Sequence, residues 1–244
     1  MKKVNKDTIS LSPRLLMVAK RVPQCDLVYD IGTDHCFLPI YLIQNGICKR
    51  AIASDIKKGP VEIAKRNIEH YEMSDNIQAL LSPGIEHVDN ESYIIIAGMG
   101  ADVIIEILSN HPTTAKSAKL LIIQCQSKTE KLRAFLWQQG YEISDEQLTY
   151  EKNKIYNCFT AKFVNKKSPY SKSDALVSKT LYLSKSDMAE DYINRHVNRL
   201  KRIKRDITDI EGKVKDTVFE KTNEEVDEIL EELNEKINYI RLPK

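Results

Sequence analysis

Asp30, Gly32, Asp34 and His35 fall within one stretch, Leu27-Val28-Tyr29-Asp30-Ile31-Gly32-Thr33-Asp34-His35-Cys36-Phe37-Leu38-Pro39, and a further acid, Asp55, ends the next apolar run. The first run breaks abruptly into a small polar loop and turns apolar again at Leu38, a pattern of strand, glycine turn and helix. Gly32 lets the backbone bend and a ligand approach closely, and the carboxylates fall at the carboxyl end of the strand, where open α/β sheets bind ligands. A pyrophosphate-binding loop would need three glycines, and one is present. Carboxylates suit a cationic, hydroxyl-bearing ligand better, and an aminoacyl nucleoside such as S-adenosylmethionine offers an ammonium group, a sulfonium and ribose hydroxyls. Taken alone, the loop also reads as an ordinary polar turn after a buried strand.

Asp55 sharpens the reading. An acid about 20 to 25 positions beyond the glycine turn, at the tip of the second strand, is where Rossmann-like folds grip ribose hydroxyls. The elements that must position these groups follow from periodicity. A helix over Ile9–Val22, capped by Ser12 with Pro13 in its first turn, precedes a strand over Leu27–Ile31. A helix over Leu38–Gly46, a strand over Ala51–Asp55, a helix over Pro60–His70 and a strand over Ile77–Leu81 come next, the last ending in Ser82-Pro83-Gly84. Tyr93-Ile94-Ile95-Ile96-Ala97-Gly98-Met99-Gly100 reads as a central strand buried on both faces, with glycines at its tip. A helix over Val103–Leu108, a strand over Leu120–Gln124, a helix over Thr129–Gln139 and a hairpin of Tyr141–Tyr150 and Ile155–Phe163 around Lys152-Asn153 complete the unit. The expected fold is α/β, a mostly parallel seven-stranded sheet with an antiparallel edge, the Rossmann-like pattern of class I S-adenosylmethionine methyltransferases.

Asn165 to Ser173 reads as a polar, proline-containing linker, dividing the chain into residues 1–165, a cofactor-binding catalytic domain, and 166–244, a helical domain. In the tail, Ile193, Val197, Leu200, Ile203, Ile207, Ile210 and Val214 repeat at steps of three and four, and Val226, Ile229 or Leu230, Leu233, Ile237 and Ile240 form a second stripe. This predicts an antiparallel coiled-coil hairpin. Arg195, Arg199, Lys201, Arg202, Lys204 and Arg205 load its first arm, and acids from Glu224 to Glu235 load the second. The charges either neutralise one another across the hairpin, grip RNA phosphates, or meet a partner coiled coil.

The chain has 244 residues, 42% hydrophobic and 30% charged, with a formal net charge of +2, so bulk charge does not announce a nucleic-acid partner. No charge-free apolar run approaches the roughly 20 residues that span a bilayer, and Met1 to Asp7 leads into no signal-peptide core, which predicts a cytoplasmic protein. Cys25, Cys36, Cys48, Cys125 and Cys158 are widely spaced, without a Cys-x-x-Cys pair or a histidine cluster at metal spacing, which predicts reduced, buried thiols and no metal.

Four strings give the chain a specific likeness: Leu11-Ser12-Pro13-Arg14-Leu15, Asp30-Ile31-Gly32-Thr33-Asp34-His35 with Leu38-Pro39, Ile96-Ala97-Gly98-Met99-Gly100, and the helical tail. Together they resemble L-S-x-R-L, D-I-G-(S/T)-D-H-x-x-L-P and I-A-G-M-G-G of the bacterial tRNA (adenine(22)-N1)-methyltransferases, the TrmK family. The resemblance implies an S-adenosylmethionine site formed by Tyr29, Asp30, Gly32, Asp34, His35, Asp55, Ile56, Gly84, Ala97, Gly98 and Met99. Asp34 and His35 are the polar groups expected nearest the reacting centre, and Arg14, Arg195, Arg199 and Arg202 are the expected tRNA contacts. The chain departs from the family at Ala101, where a second glycine is usual, at Ser82-Pro83-Gly84, where an acid usually meets the cofactor adenine, and at Gln124-Cys125-Gln126, where Q-P-N is commoner.

The N/D-P-P-Y loop by which many amino-group methyltransferases hold an exocyclic amine is replaced by Ala97 to Gly100, which favours a ring nitrogen as target. The expected protein is a tRNA adenine-N1 methyltransferase with tRNA as its partner, a monomer, with self-association through the coiled coil as the other state the tail allows. A methyltransferase of another substrate and a catalytically idle RNA-binding adaptor are the alternatives.

Overall fold

The structure is a computed structural model that describes residues 8–209, 215–216, 219–220 and 223–243. Ser12 caps α1 (Pro13–Ala19), its hydroxyl accepting from the Leu15 amide. The chain then alternates through β1 (Cys25–Ile31), α2 (Phe37–Gln44), β2 (Cys48–Asp55), α3 (Lys58–His70), β3 (Ile77–Leu81), β4 (Tyr93–Met99), α4 (Ala101–Asn110), α5 (Pro112–Ser117), β5 (Leu120–Cys125) and α6 (Thr129–Gln138). A hairpin of β6 (Tyr141–Glu151) and β7 (Lys154–Phe163) closes the sheet, turning through Lys152 and Asn153 at φ +47° and +62°, as a primed two-residue turn requires.

The seven strands lie in the order β3-β2-β1-β4-β5-β7-β6. β1 to β5 pair in parallel, while β7 runs antiparallel to both β5 and β6. The strand order reverses between β1 and β4, which brings the tips of β2, β1, β4 and β5 to one edge. Ile94, Ile95, Ile96 on β4 and Leu121, Ile122, Ile123 on β5 are wholly buried, so both faces of the centre are covered. One face packs on α1, α2 and α3 through Val18, Ile40, Leu42 and Ala64; the other packs on α4 and α6 through Ile104, Leu132 and Leu136.

Beyond the sheet come α7 (Lys172–Leu176), α8 (Lys179–Leu183), α9 (Asp187–Asp209), the two-residue strands β8 (Lys215–Asp216) and β9 (Phe219–Glu220), and α10 (Asn223–Arg241). The polar stretch expected to be a linker is partly folded. Ser171 forms a capping box with Asp174, and Ser173 is fully buried with its hydroxyl bonded to Glu232. The stripe of Ile193, Val197, Leu200 and Ile203 meets that of Val226, Ile229, Leu233 and Ile237, and Leu148, Leu176, Val177 and Leu181 share the same core. A helical hairpin is therefore present, and its apolar stripe is covered by α7, α8 and the sheet edge as well as helix on helix. Ile210, Gly212 and Val214 lie outside the described residues, as does the side chain of Ile207.

A buried ion pair joins tail to sheet. The ladder of β6 and β7 shifts register between Ser144 and Gln147, with Asp145 at φ +44°, and this bulge turns Glu146 inward. Its carboxylate accepts from Arg133 of α6, from Asn157 at 2.9 Å and from Ser178 at the start of α8. Arg133, wholly buried, also donates to the carbonyls of Ala175 at 2.7 Å and Leu176 at 3.1 Å.

Charges on the hairpin divide. Lys204 bonds Asp227 across the arms and Arg241 bonds Glu190, whereas Arg199 donates to the buried Glu130 of α6 at 2.8 Å and Arg195 to the Asn153 carbonyl at 3.3 Å. No helix among the described residues is long and apolar enough to cross a membrane.

Candidate active site

β1 delivers the chain to the carboxyl edge, where the Gly32 and Thr33 amides both donate to the Ser54 carbonyl of β2, at 2.7 and 2.8 Å. This pairing fixes the loop. Gly32 has φ +78°, and a Cβ there would lie 1.9 Å from the Met99 methyl, so the position takes glycine for conformation and for space. Met99, from the tip of β4, and Gly32 thus form a partition.

On one side of it lies a cavity of about 200 Å³, lined by Gly32, Asp55, Ile56, Ser82, Gly84 and Met99 with Glu106 and Asn110 of α4. Asp55 sits at the tip of β2 with Oδ1 accepting from the Lys57 amide at 2.7 Å. Ile56 is 69% exposed. The buried Ser82 hydroxyl has no hydrogen-bond partner in the protein. An orphaned buried hydroxyl beside an acid at a strand tip fits a polar ligand such as a nucleoside.

On the other side lies a cavity of about 290 Å³, lined by Arg14, Asp30, Asp34, His35, Ala97 and Gly98 with Gln126. Asp30 is buried, and burial raises its carboxyl from the ordinary 3.8 to about 6 against a bond from Thr33 that lowers it. Asp34 and His35 are exposed, with His35 Nε2 3.3 Å from Asp34 Oδ2 and the imidazole stacked on Phe37 at 5.3 Å. Cys36 enters α2 in the left-handed conformation at φ +60°, with its thiol buried and pushed well above its usual range by burial and by Asp30. All five thiols are free, four buried and Cys25 half-buried.

Gln124, to which the sequence reading gave no role, holds this second cavity together. It is wholly buried, and its Oε1 accepts from Arg14 Nη1 at 2.9 Å and from the Gly98 amide at 3.2 Å, while Nε2 donates to the Cys125 carbonyl at 3.0 Å. Gly98 has φ +85°, the turn that exposes its amide to Gln124. Only a side chain with acceptor and donor at one end satisfies all three bonds. A buried amide on an otherwise apolar strand was the available signal.

Tyr29 does not join this group. Its ring is buried on the α4 face of the sheet, its hydroxyl donates to Asp89 at 2.8 Å, and it lines a separate cleft of about 630 Å³ with Leu27 and Ile52. Arg195 and Arg199 line a third cavity of the carboxyl edge, and Arg202 is exposed one turn further along α9. Among the described residues no group of three His, Cys, Asp or Glu could hold a metal ion.

The Asp30 carboxylate should be costly to the fold. Between about pH 4 and 6 the folded state retains a proton that the unfolded chain has released, so stability falls as pH rises through that window, by up to on the order of 3 kcal/mol. Asp30→Asn should therefore be more stable than the parent at pH 8 and no more stable at pH 3.5. Urea unfolding at the two pH values measures this, and equal stability at pH 8 would show that the carboxylate is not isolated from solvent.

Two cavities meeting at a glycine on the β1 tip, one beside an acid and one beside a buried carboxylate, have the chemistry to take an amino-acid nucleoside end to end. The model of the family described as "Methyltransferase domain" matches residues 11–159. The tRNA (adenine(22)-N(1))-methyltransferase of Bacillus subtilis is 31% identical over 164 residues, 66% of this chain and 69% of that protein. The structure of M. capricolum TrmK with S-adenosyl-homocysteine superposes at a TM-score of 0.77 with 27% identity, covering 95% of this chain and 99% of that one. The fold is likewise that of the B. subtilis M1A22 tRNA methyltransferase TrmK, at a TM-score of 0.75 with 24% identity over 96% of this chain and 98% of that one. By domain, by sequence and by fold, the chain belongs to the tRNA (adenine(22)-N1)-methyltransferase family.

Proposed function

We propose that this protein transfers a methyl group from S-adenosylmethionine to N1 of an adenine in tRNA, at position 22 as in the B. subtilis relative. The observation that carries the reading is the pair of cavities meeting at Gly32, in a chain of this family. S-adenosylmethionine supplies the methyl group, activated on a cationic sulfonium. Asp55 holds ribose hydroxyls. The Ser82 hydroxyl, Asn110 and the turn at Gly84 serve the adenine ring in place of the acid that Ser82-Pro83-Gly84 lacks, beside Ile56. Asp30 and the backbone from Ala97 to Met99 hold the amino-acid end.

Adenine N1 carries a lone pair, so the protein chiefly positions, desolvates and stabilises positive charge on the product. Asp34, at the mouth of the second cavity, is the carboxylate placed to do so, and it can accept the proton that the exocyclic amine then releases. His35 orients it. Adenine N1 must be unpaired or flipped to enter. Arg14 is held at the same cavity by Gln124, and Arg195, Arg199 and Arg202 of α9 offer tRNA phosphates a sequence-independent grip. The two-part organisation at residues 1–165 and 166–244 divides methyl transfer from docking, and the protein acts as a cytoplasmic monomer.

Incubation with unmodified tRNA and S-adenosylmethionine, followed by digestion and mass spectrometry of the nucleosides, should yield 1-methyladenine. Its absence, with cofactor bound, would overturn the assignment.

A further inference from the structure

The third cavity of the carboxyl edge has a volume of about 510 Å³ and lies between the sheet and α9. Gln126, Lys128, Lys154, Tyr156, Arg195 and Arg199 are among its lining residues. It adjoins the second cavity directly. Gln126 lines both, and the Arg14 guanidinium of the second lies 5.8 Å from the centre of the Tyr156 ring of the third. The three cavities therefore run in series, from the tips of β2 and β3, past β1 and β4, to β5 and the start of β7.

The third differs in chemistry from the other two. Its walls carry the cations Lys128, Lys154, Arg195 and Arg199 against one carboxylate, Glu130, which is buried and bonded to Arg199 at 2.8 Å. Lys128 is engaged by Asp102 at 2.8 Å. Lys154 and Arg195 are exposed, and Tyr156 is half-buried. An aromatic face set among cations is how single-stranded RNA is held, by base stacking and phosphate neutralisation together. An acidic peptide would use the cations and leave the ring idle.

We propose that this cavity is a second nucleotide subsite of the RNA substrate, taking the nucleotide adjoining the methylated adenosine with its base against Tyr156 and its phosphate between Lys154 and Arg195. The inference rests on the function proposed above and extends it. It gives the joint between sheet and tail a binding role: α9 supplies one wall and β7 the other, so neither half holds the nucleotide alone.

The test uses the full-length protein and unmodified tRNA. Lys154→Gln and Arg195→Gln should each raise KM for tRNA roughly three- to tenfold with kcat within about twofold, and should each flatten the dependence of log affinity on log salt by about one. Tyr156→Ala should raise KM about tenfold, and Tyr156→Phe should restore it, because the ring and not the hydroxyl does the stacking. Lys162→Gln, at the opposite end of the same strand, is the control and should change KM less than twofold. S-adenosylmethionine affinity, read by calorimetry, should be the same in all five. If Lys154→Gln and Arg195→Gln match Lys162→Gln while 1-methyladenine still forms, the subsite is refuted and the assigned reaction stands. If the parent protein forms no 1-methyladenine, the reaction and the subsite fall together.

Discussion

Glu146→Ala should destabilise the protein by about 3–5 kcal/mol, the range for stranding one member of a buried ion pair. Arg133 is wholly buried and would keep its charge with two carbonyls in place of a carboxylate, while Asn157 and Ser178 would each lose their acceptor. The charge cannot be escaped by deprotonation, because a guanidinium stays protonated throughout the accessible pH range even when buried. Replacing both partners, as in Arg133→Met with Glu146→Leu, should recover much of the loss, since the pair itself contributes little net stability once its desolvation is counted. Chemical denaturation of parent, single and double variants decides this. A single variant within about 1 kcal/mol of the parent would mean that water reaches Arg133. Because Arg133 and Glu146 bond Ala175, Leu176 and Ser178, the single variant should also expose the segment from 171 to 183 to proteolysis before the sheet unfolds.

Asp34→Ala should lower kcat on the order of 10²-fold, at the lower end of what a positioned proton-transfer group contributes, with S-adenosylmethionine affinity changed only a few-fold. The carboxylate stands at the mouth of its cavity, its side chain 72% exposed, and solvent screening keeps the effect from being larger. His35→Ala should be milder, since it acts through Asp34, and the double variant should be no worse than Asp34→Ala alone. Single-turnover kinetics separates this from a binding defect. A loss carried entirely by cofactor affinity would make Asp34 a cofactor ligand and nothing more.

Much of the sheet was legible because its parallel strands are short, largely apolar runs bounded by turn residues. Ile94 to Ile96 and Leu121 to Ile123 could hardly be anything else. The glycine at 32 and the acid at 55 were legible for a different reason: a spacing of strand tips across one crossover helix is a local quantity, and so it survives in the sequence. What was not legible is long-range. Nothing near Glu146 announces that a bulge turns it toward Arg133, and nothing near Gln124 announces Arg14 as its partner, 110 positions away. The helices α5, α7 and α8 have six, five and five residues, too few turns to show a period, so a folded segment looked like a linker. Tyr29 sits beside Asp30 in sequence but on the opposite face of a strand, where alternation sends it to the core.

The burial of Cys36 has a consequence for what the protein does not do to itself. S-adenosylmethionine is an alkylating agent, and a thiolate is a better acceptor of its methyl group than any nitrogen of a nucleobase. Cys36 lies in the wall of the second cavity, close in sequence to Asp34 and His35. With its thiol turned inward and kept protonated by burial and by the neighbouring Asp30, the loop withholds its strongest nucleophile. If the cofactor occupies this cavity as proposed, its one nearby thiol is turned away from it and held in its least nucleophilic form.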